Sequence, residues 1–296
     1  MKMAFRNRLL ASVLLSVLTF SSGLALAQSA SPAPEAARAR VHVNVQADGP
    51  AEAERADNET YVAALNATQT GGFTALQTHV PALTEAMNRA PATYPVMQEI
   101  PGGWLIRADD RDEIVALAHR ISGVESARGG GEIKVIARPN VYPNIAFLLG
   151  SAAVDRRDFA AAHAVLDRAL ALQPFDRMLL NEKLVALHGE RRWDEAYLLV
   201  KAALASGDPL IEVDPGSLQR RLGYTLIELD RLHEARAAYE ASLVSDPGNA
   251  TALAELQTIA DLEAGHQLEG DIQISAPNLP AQAVKADAEA ARSAPE

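Results

Sequence analysis

The stretch Asp158–Pro174, DFAAAHAVLDRALALQP, decides how this chain is read. It carries His163 and Asp167 four residues apart in a helical run, which puts an imidazole and a carboxylate on one helix face. Taken alone, that pair has the spacing of two metal ligands or of a histidine oriented by a carboxylate. The plain residues around the pair say more. Ala162, Leu166, Ala169 and Leu170 return 34 residues later as Ala196, Val200, Ala203 and Leu204. They return again, five residues further out of step, as Ala235, Tyr239, Ser242 and Leu243, and Pro174 then matches Pro247. A large apolar residue stands three before each key alanine: Phe159, Trp193 and Leu232. Leu149-Gly150 and Leu222-Gly223 precede the first and third copies.

A small residue recurring with this period is what a stack of helix pairs requires. Ala162, Ala196 and Ala235 sit where two helices cross closely, and Leu166, Val200 and Tyr239 fill the groove beside them. Proline ends the second helix and turns the chain into the next unit. In period and pattern the region resembles the tetratricopeptide repeat family. The resemblance covers about 125 of the 296 residues and implies three units, 143–176, 177–210 and 216–248, with a closing helix at 250–266. Unit two departs from the pattern: Lys183-Leu184 replaces Leu-Gly, and Pro209 is displaced by one. Ile211–Pro215 is an insertion between units, expected to be a loop.

In this frame His163 and Asp167 correspond to Tyr197 and Lys201, and to Arg236 and Glu240, on the second helices. They are expected to face the rim or outer side, with no third ligand converging on them. The resemblance moves interest to the concave groove of the first helices, where tetratricopeptide proteins bind extended or helical segments of partners. By position that groove presents Asn144, Phe147 and Ser151 from unit one. Unit two offers Met178, Asn181, Val185 and His188, and unit three Arg220, Arg221 and Tyr224. The chaperone-binding subset uses a Lys/Asn/Lys/Arg clamp. Phe147 and Ser151 stand at its leading positions here, so that clamp is not expected. Arg220 and Arg221 suit an acidic partner residue, and Asn181 a partner backbone.

Upstream, residues 59–139 read as a small α+β module that resembles no family. Phe73, Leu76, Val80, Leu83 and Met87 predict an amphipathic helix after Gly71-Gly72, broken or kinked at Pro81. Val96–Ile100 and Trp104–Ala108 around Pro101-Gly102-Gly103 predict a hairpin. A helix capped by Asp109 or Asp110 and stopped at Gly123 follows, then a strand over Glu132–Ala137. Acidic residues at 109–113 are explained by the helix dipole, because their spacing lacks the glycine and terminal glutamate of a calcium loop. Residues 28–58 are expected to be a flexible leader despite the β-like run Val41–Val45, and 276–296 a disordered tail. The expected fold class is therefore mainly α: a three-repeat helical solenoid with a closing helix, preceded by a small α+β module.

The N-terminus carries Lys2, Arg6 and Arg8, then an apolar run from Leu9 to Phe20, then Ala25-Leu26-Ala27. This is the pattern of a cleavable signal peptide cut after Ala27. The run is shorter than the roughly 20 residues a membrane span needs. It reads as bacterial, so the periplasm or the outside is the expected compartment, with no membrane insertion after cleavage. The formal charge of −11 becomes −14 without residues 1–27, from 24 basic and 38 acidic residues. With no basic stripe, nucleic acid is an unsuitable partner. The absence of cysteine removes disulfides, thiolate metal sites and thiol nucleophiles. No HExxH, GxSxG or phosphate-loop motif is present, and Gly129-Gly130-Gly131 lacks the Lys-Ser/Thr that a phosphate cradle needs.

The expected function is thus non-catalytic, without metal or cofactor: a scaffold that binds another envelope protein or peptide segment in the groove. Self-association in an export or secretion assembly is one alternative. The other is a ligand-binding or enzymatic N-terminal module whose substrate the repeats recruit, centred on Trp104–Arg107 and Asp109–Arg111.

Overall fold

The computed structural model describes residues 40–264, so the expected signal peptide, the expected leader before residue 40 and the expected tail at 276–296 lie outside the described residues. The described chain opens with strand β1 (Val41–Ala47) and a 3-10 turn (Glu52–Glu54), then helices α1 (Arg55–Gln77) and α2 (Val80–Asn88). Strands β2 (Met97–Ile100) and β3 (Gly103–Arg107), helix α3 (Arg111–Ala127) and strand β4 (Gly131–Arg138) follow. Helices alone make up the rest: α4 (Val141–Asp155), α5 (Phe159–Leu172), α6 (Arg177–Gly189), α7 (Trp193–Leu204), α8 (Pro209–Val213), α9 (Gly216–Glu228), α10 (Leu232–Ser242) and α11 (Ala250–Glu263).

The pairs α4–α5, α6–α7 and α9–α10 are the three repeats, and α11 covers the last. Ala162, Ala196 and Ala235 are fully buried at the crossings. Beside each alanine the two helices share one space between two side chains. A Cβ on Gly150 would lie 2.8 Å from a methyl of Leu166, and one on Gly223 would lie 2.5 Å from the Tyr239 ring. In the second repeat the allocation reverses, with Leu184 opposite the smaller Val200, and both are fully buried. The missing glycine of repeat two is therefore a volume exchange across the crossing. The backbone repeats as faithfully. Arg157, Arg191 and Asp230, at one repeat position between paired helices, hold left-handed φ values of 59°, 59° and 56°. Asp176 and Asn249, again equivalent, cap α6 and α11 by accepting from Leu179 N and Ala252 N, each at 3.0 Å.

Three expectations for the N-terminal half need correction. Val41–Ala47 is no flexible leader: it pairs in parallel with β4 over seven residues, Val41 opposite Gly131 and Ala47 opposite Ala137. The sheet runs β1-β4-β3-β2, with β3 parallel to β4 and antiparallel to β2, so the Pro-Gly-Gly hairpin forms one edge and β1 the other. The cause is the alternation of Val41, Val43 and Val45, whose half-buried side chains supply a face for α3. Second, residues 59–139 are not one module. α1 and α2 form a helical hairpin on α4, burying Ala64, Leu76, Leu83, Ala86 and Met87 against Val141, Ile145, Leu148 and Ala152. α1 begins at Arg55, is kinked at Gly72 (φ 65°), and Pro81 starts α2 rather than breaking a helix. The hairpin acts as an additional unit at the front of the stack, tied on by Asp57. That carboxylate, 2% exposed in its side chain, accepts from Arg89 at 2.6 Å and from the Tyr142 hydroxyl at 3.1 Å.

Third, the insertion after repeat two is no loop. Residues 211–213 belong to helix α8, which starts at Pro209 and whose Leu210, just before the insertion, joins Trp104, Ile106, Leu117, Ile121 and Val135 in the core between sheet and α3. The sheet and α3 thereby lie along the edge of the solenoid where the first helices begin. α3 also runs four residues beyond Gly123, because that glycine faces open space and nothing there stops it.

Two changes test the repeat sterics. Gly223→Leu alone should cost roughly 1–3 kcal/mol by overpacking, while Gly223→Leu with Tyr239→Val, copying repeat two, should recover most of it in urea denaturation. A double variant no more stable than Gly223→Leu contradicts the exchange. Arg191→Gly, which relieves a left-handed residue, should gain about 0.5–1 kcal/mol in the same assay.

Candidate functional site

The first helices α4, α6 and α9 bring the ten groove residues onto one side of the stack, but not all reach its surface. Asn144 and Ser151 are 3% and 1% exposed, so they form floor rather than contact surface. Asn144 is turned against the Asp109 carboxylate at the start of α3. Phe147, Val185, Arg220, Arg221 and Tyr224 are half-buried, and Met178 is exposed. Asn181 spans two repeats, donating to Arg177 O at 2.9 Å and to Ser217 Oγ at 3.1 Å.

Beside this surface lies a charge pair, buried Glu182 and half-buried Arg221, of which the groove pattern names only Arg221. Glu182 and Arg221 occupy the repeat position of the fully buried Leu148. Glu182 is 2% exposed and its Oε1 has no hydrogen-bond partner among the described residues; Ser151 Oγ is likewise unpaired. Burial pushes the Glu182 carboxyl up to about 7, with neighbouring Ser151 and Arg221 opposing the rise. Burial lowers Arg221, which Glu182 in turn supports. Ionised residues in an apolar repeat position were the available signal.

At the far end of the groove His188 packs among Trp193 and Tyr224, with ring centroids 5.1–6.0 Å apart. Its Nε2 lies 2.9 Å from Thr225 Oγ1, which itself donates to Arg221 O at 2.7 Å. The hydroxyl proton is therefore engaged, and Nε2–H of a neutral imidazole is the donor. Burial, then Arg221, lowers the imidazole to about 3. The three rings touch one another and hold His188 in an aromatic cluster.

A second polar centre lies where α3 meets the repeat edge. Asp109 Oδ1 accepts from Asn140 N at 3.2 Å, and Glu113 Oε2 accepts from Asp109 N at 3.0 Å. The Asn140 and Gln173 side-chain amides exchange two hydrogen bonds of 2.9 and 2.8 Å. Asn140 Nδ2 also reaches Asp176 Oδ2 at 3.3 Å, and Gln173 Nε2 donates to Tyr94 O at 3.1 Å. Burial is the main cause that raises Asp109 and Asp176 to about 6 and Glu113 to about 7. Asp110, not Asp109, caps α3, accepting from Asp112 N and Glu113 N. Beside this centre lies a cleft of ≈ 260 Å³ lined by Met97, Leu117, Arg120, Phe175, Asp208 and Leu210. Trp104 and Arg107 are engaged within the fold: Trp104 donates to Glu125 at 3.0 Å, and Arg107 stacks 3.9 Å over Tyr94 and donates to Pro95 O at 2.8 Å.

His163 and Asp167 do not meet. His163 Nε2 lies 2.7 Å from Glu190, which also accepts from Arg192 at 2.9 Å, while Asp167 pairs with Lys183. Both belong to a surface network that joins repeat one to repeat two. Among the described residues no group of three or more His, Asp or Glu could hold a metal ion, and no helix is long and apolar enough to cross a membrane.

The fold is that of a tetratricopeptide-like helical repeat with a four-stranded sheet set on its edge. No protein-family model matches the chain, and neither does any curated protein. Solved structures do. The first tetratricopeptide domain of Spaghetti (RPAP3) bound to an HSP90 peptide is 20% identical, over 41% of this chain and 93% of that one, at a TM-score of 0.37. The same domain of human RPAP3 is 22% identical, over 42% and 95%, at 0.37. A tetratricopeptide protein of Thermus thermophilus is 15% identical, over 69% and 99%, also at 0.37. At these values the likenesses say nothing about the site.

The Glu182–Arg221 pair should trade stability for charge. Glu182→Leu with Arg221→Leu, restoring the Leu148 pattern, is expected to be neutral or up to about 4 kcal/mol more stable at pH 8, and Arg221→Leu alone less stable than wild type. Because the folded carboxyl is raised, the stability tied to it is full below about 4.5 and is lost as pH rises through about 7. Glu182→Gln should flatten that part of the profile in denaturant titrations, and an unchanged slope would contradict the assignment.

Proposed function

We propose that the chain is a non-catalytic scaffold that holds a segment of a partner protein in the concave groove. The observation that carries this reading is the surface formed across three successive first helices by Phe147, Met178, Asn181, Val185, Arg220 and Tyr224. On α6, exposed Met178 and half-buried Val185 stand two turns apart, one on each side of Asn181. An exposed methionine is a yielding contact for a partner side chain. At one end half-buried Arg220 stands beside Arg221, whose guanidinium is already supported by Glu182, so a carboxylate of the partner is the group complementary to Arg220. The segment accordingly combines apolar residues with an acidic one. Three repeats make a short groove, so affinity is modest unless a second contact adds to it.

The signal-like N-terminus supports a setting in the cell envelope, with the partner another envelope protein. Mass spectrometry of the exported protein should find Gln28 at the mature N-terminus; an intact 1–27 segment would refute export by cleavage. For the groove, a photocrosslinking residue placed at Met178 should trap a partner in the native compartment. Arg220→Glu with Asn181→Ala should reduce trapping at least tenfold, equivalent to about 1.4 kcal/mol. Equal trapping by that variant would rule out the groove as the binding surface.

A further inference from the structure

We propose that the open edge of β1 pairs with the same edge of a second copy of this chain, antiparallel about Asn44, so that two molecules share one continuous sheet. The two edges of the sheet are built differently. β2 is only four residues long, stands between Pro95 and Pro101, and its Glu99 is tied to Arg128 at 3.2 Å. Short length, proline and charge are the devices by which natural sheets keep an edge from pairing. β1 carries none of them. Its seven residues, VHVNVQA, include no charged residue, proline or glycine.

β1 is bonded to β4 on one side, and α3 packs on one of its faces. Gly131 N donates to Arg40 O, and Asp48 N donates to Ala137 O. With the parallel register, these bonds turn the backbone groups of His42, Asn44 and Gln46 toward β4. Val41, Val43, Val45 and Ala47 therefore aim their N–H and C=O groups outward, where no strand pairs with them among the described residues. Val43 and Val45, on the face that α3 covers, are left half-buried beside this open edge. A further strand would cover them.

The strand is its own complement. With Asn44 opposite Asn44 of the second copy, Val43 meets the second copy's Val45, and Val41 meets its Ala47. These outward-facing residues are the ones that exchange both hydrogen bonds, and β-branched cross-strand pairs stabilise a sheet. On the polar face His42 meets Gln46. One step beyond the strand, exposed Arg40 comes opposite Asp48, a carboxylate that Arg138 engages only through Oδ2, at 3.0 Å. An exposed ion pair adds little stability, but this one forms only in the register that pairs the whole strand. A slip by one residue would turn the valines of one copy to the polar face of the other. The two-fold axis is perpendicular to the joined sheet, so both copies of α3 lie on one face. This assembly does not depend on the groove reading.

The chain has no cysteine, so single cysteines report the register. The two copies of residue 44 form a non-hydrogen-bonded pair with Cα atoms about 4.5 Å apart, within disulfide reach. The two copies of residue 46, also exposed, are roughly 14 Å apart. On mild oxidation Asn44→Cys should form a covalent dimer on the order of tenfold faster than Gln46→Cys. In sedimentation equilibrium the average mass of the wild-type protein should rise with concentration toward twice that of the monomer. Asn44→Lys and Asn44→Asp each set like charges face to face and should stay monomeric, while their equimolar mixture regains the dimer. A wild-type protein that is monomeric at every concentration overturns the pairing. So does a dimer that cross-links equally through residues 44 and 46, or one that both charged variants leave intact. A dimer that forms only after deletion of residues 265–296 would assign the edge to that segment and overturn it as well.

Discussion

A Cβ on Gly150 would press on Leu166, and one on Gly223 on the ring of Tyr239. Where the second helix carries only Val200, the first has room for Leu184. In every repeat the paired helices approach until one large and one small side chain fill the crossing, and the rest of the solenoid inherits its geometry from that contact. The fixed crossing turns each following pair by the same amount. That rotation lines up the first helices on one side, and it brings the starts of α4, α6 and α9 to one edge, where the sheet and α3 are seated. The left-handed residues at Arg157, Arg191 and Asp230 belong to the same constraint, since the chain must reverse within a few residues to bring the second helix back at that distance.

This hierarchy explains which parts of the structure were legible in the amino-acid sequence. The alanines, the Leu-Gly pairs and the terminal prolines act between residues close in sequence, so their 34-residue period shows directly. The Pro-Gly-Gly hairpin and the cap at Asp110 are local in the same way. What misled was non-local. Val41–Ala47 carries a strand pattern, yet its partner strand lies ninety residues on, and without that partner a short valine run in a polar leader suggests little. The α1–α2 hairpin was separated from the repeats because it lacks their small-residue spacing. The clue lay in its neighbour. VYPNIAFLLGSAAVD is apolar around most of its circumference, and a helix of that kind has to be covered on every side. α5 and α6 cover only part of α4, so another pair had to be present in front of it.

The groove was half legible for a related reason. Repeat register correctly assigns residues to the first helices, but register says nothing about how near the neighbouring element comes. Asn144 and Ser151 share the register of exposed Met178 and half-exposed Tyr224, and they are buried because Asn144 is turned against Asp109, Ser151 lies beside Glu182 of α6, and the front hairpin packs on α4. The open part of the groove is therefore displaced toward repeats two and three. There Met178, Asn181, Arg220 and Tyr224 remain available to a partner, which shortens an already short surface.

The buried charges add a different kind of constraint. An apolar residue at the position of Leu148 would serve repeats two and three as it serves repeat one, yet Glu182 and Arg221 stand there instead, without direct hydrogen bonds to each other. Ion pairs in such places contribute little net stability, because desolvation offsets most of the attraction. What they do contribute is direction. A carboxylate beneath repeat two and a guanidinium beneath repeat three give the groove floor an electrostatic polarity along its length, which leucine at both positions would abolish. On the proposed reading of the groove, a segment with its acidic group toward Arg220 would be favoured over the same segment reversed, by interactions that a low-dielectric floor screens poorly. Shape in this fold comes from residues that repeat, and electrostatic polarity along the first helices from the two that break the repeat.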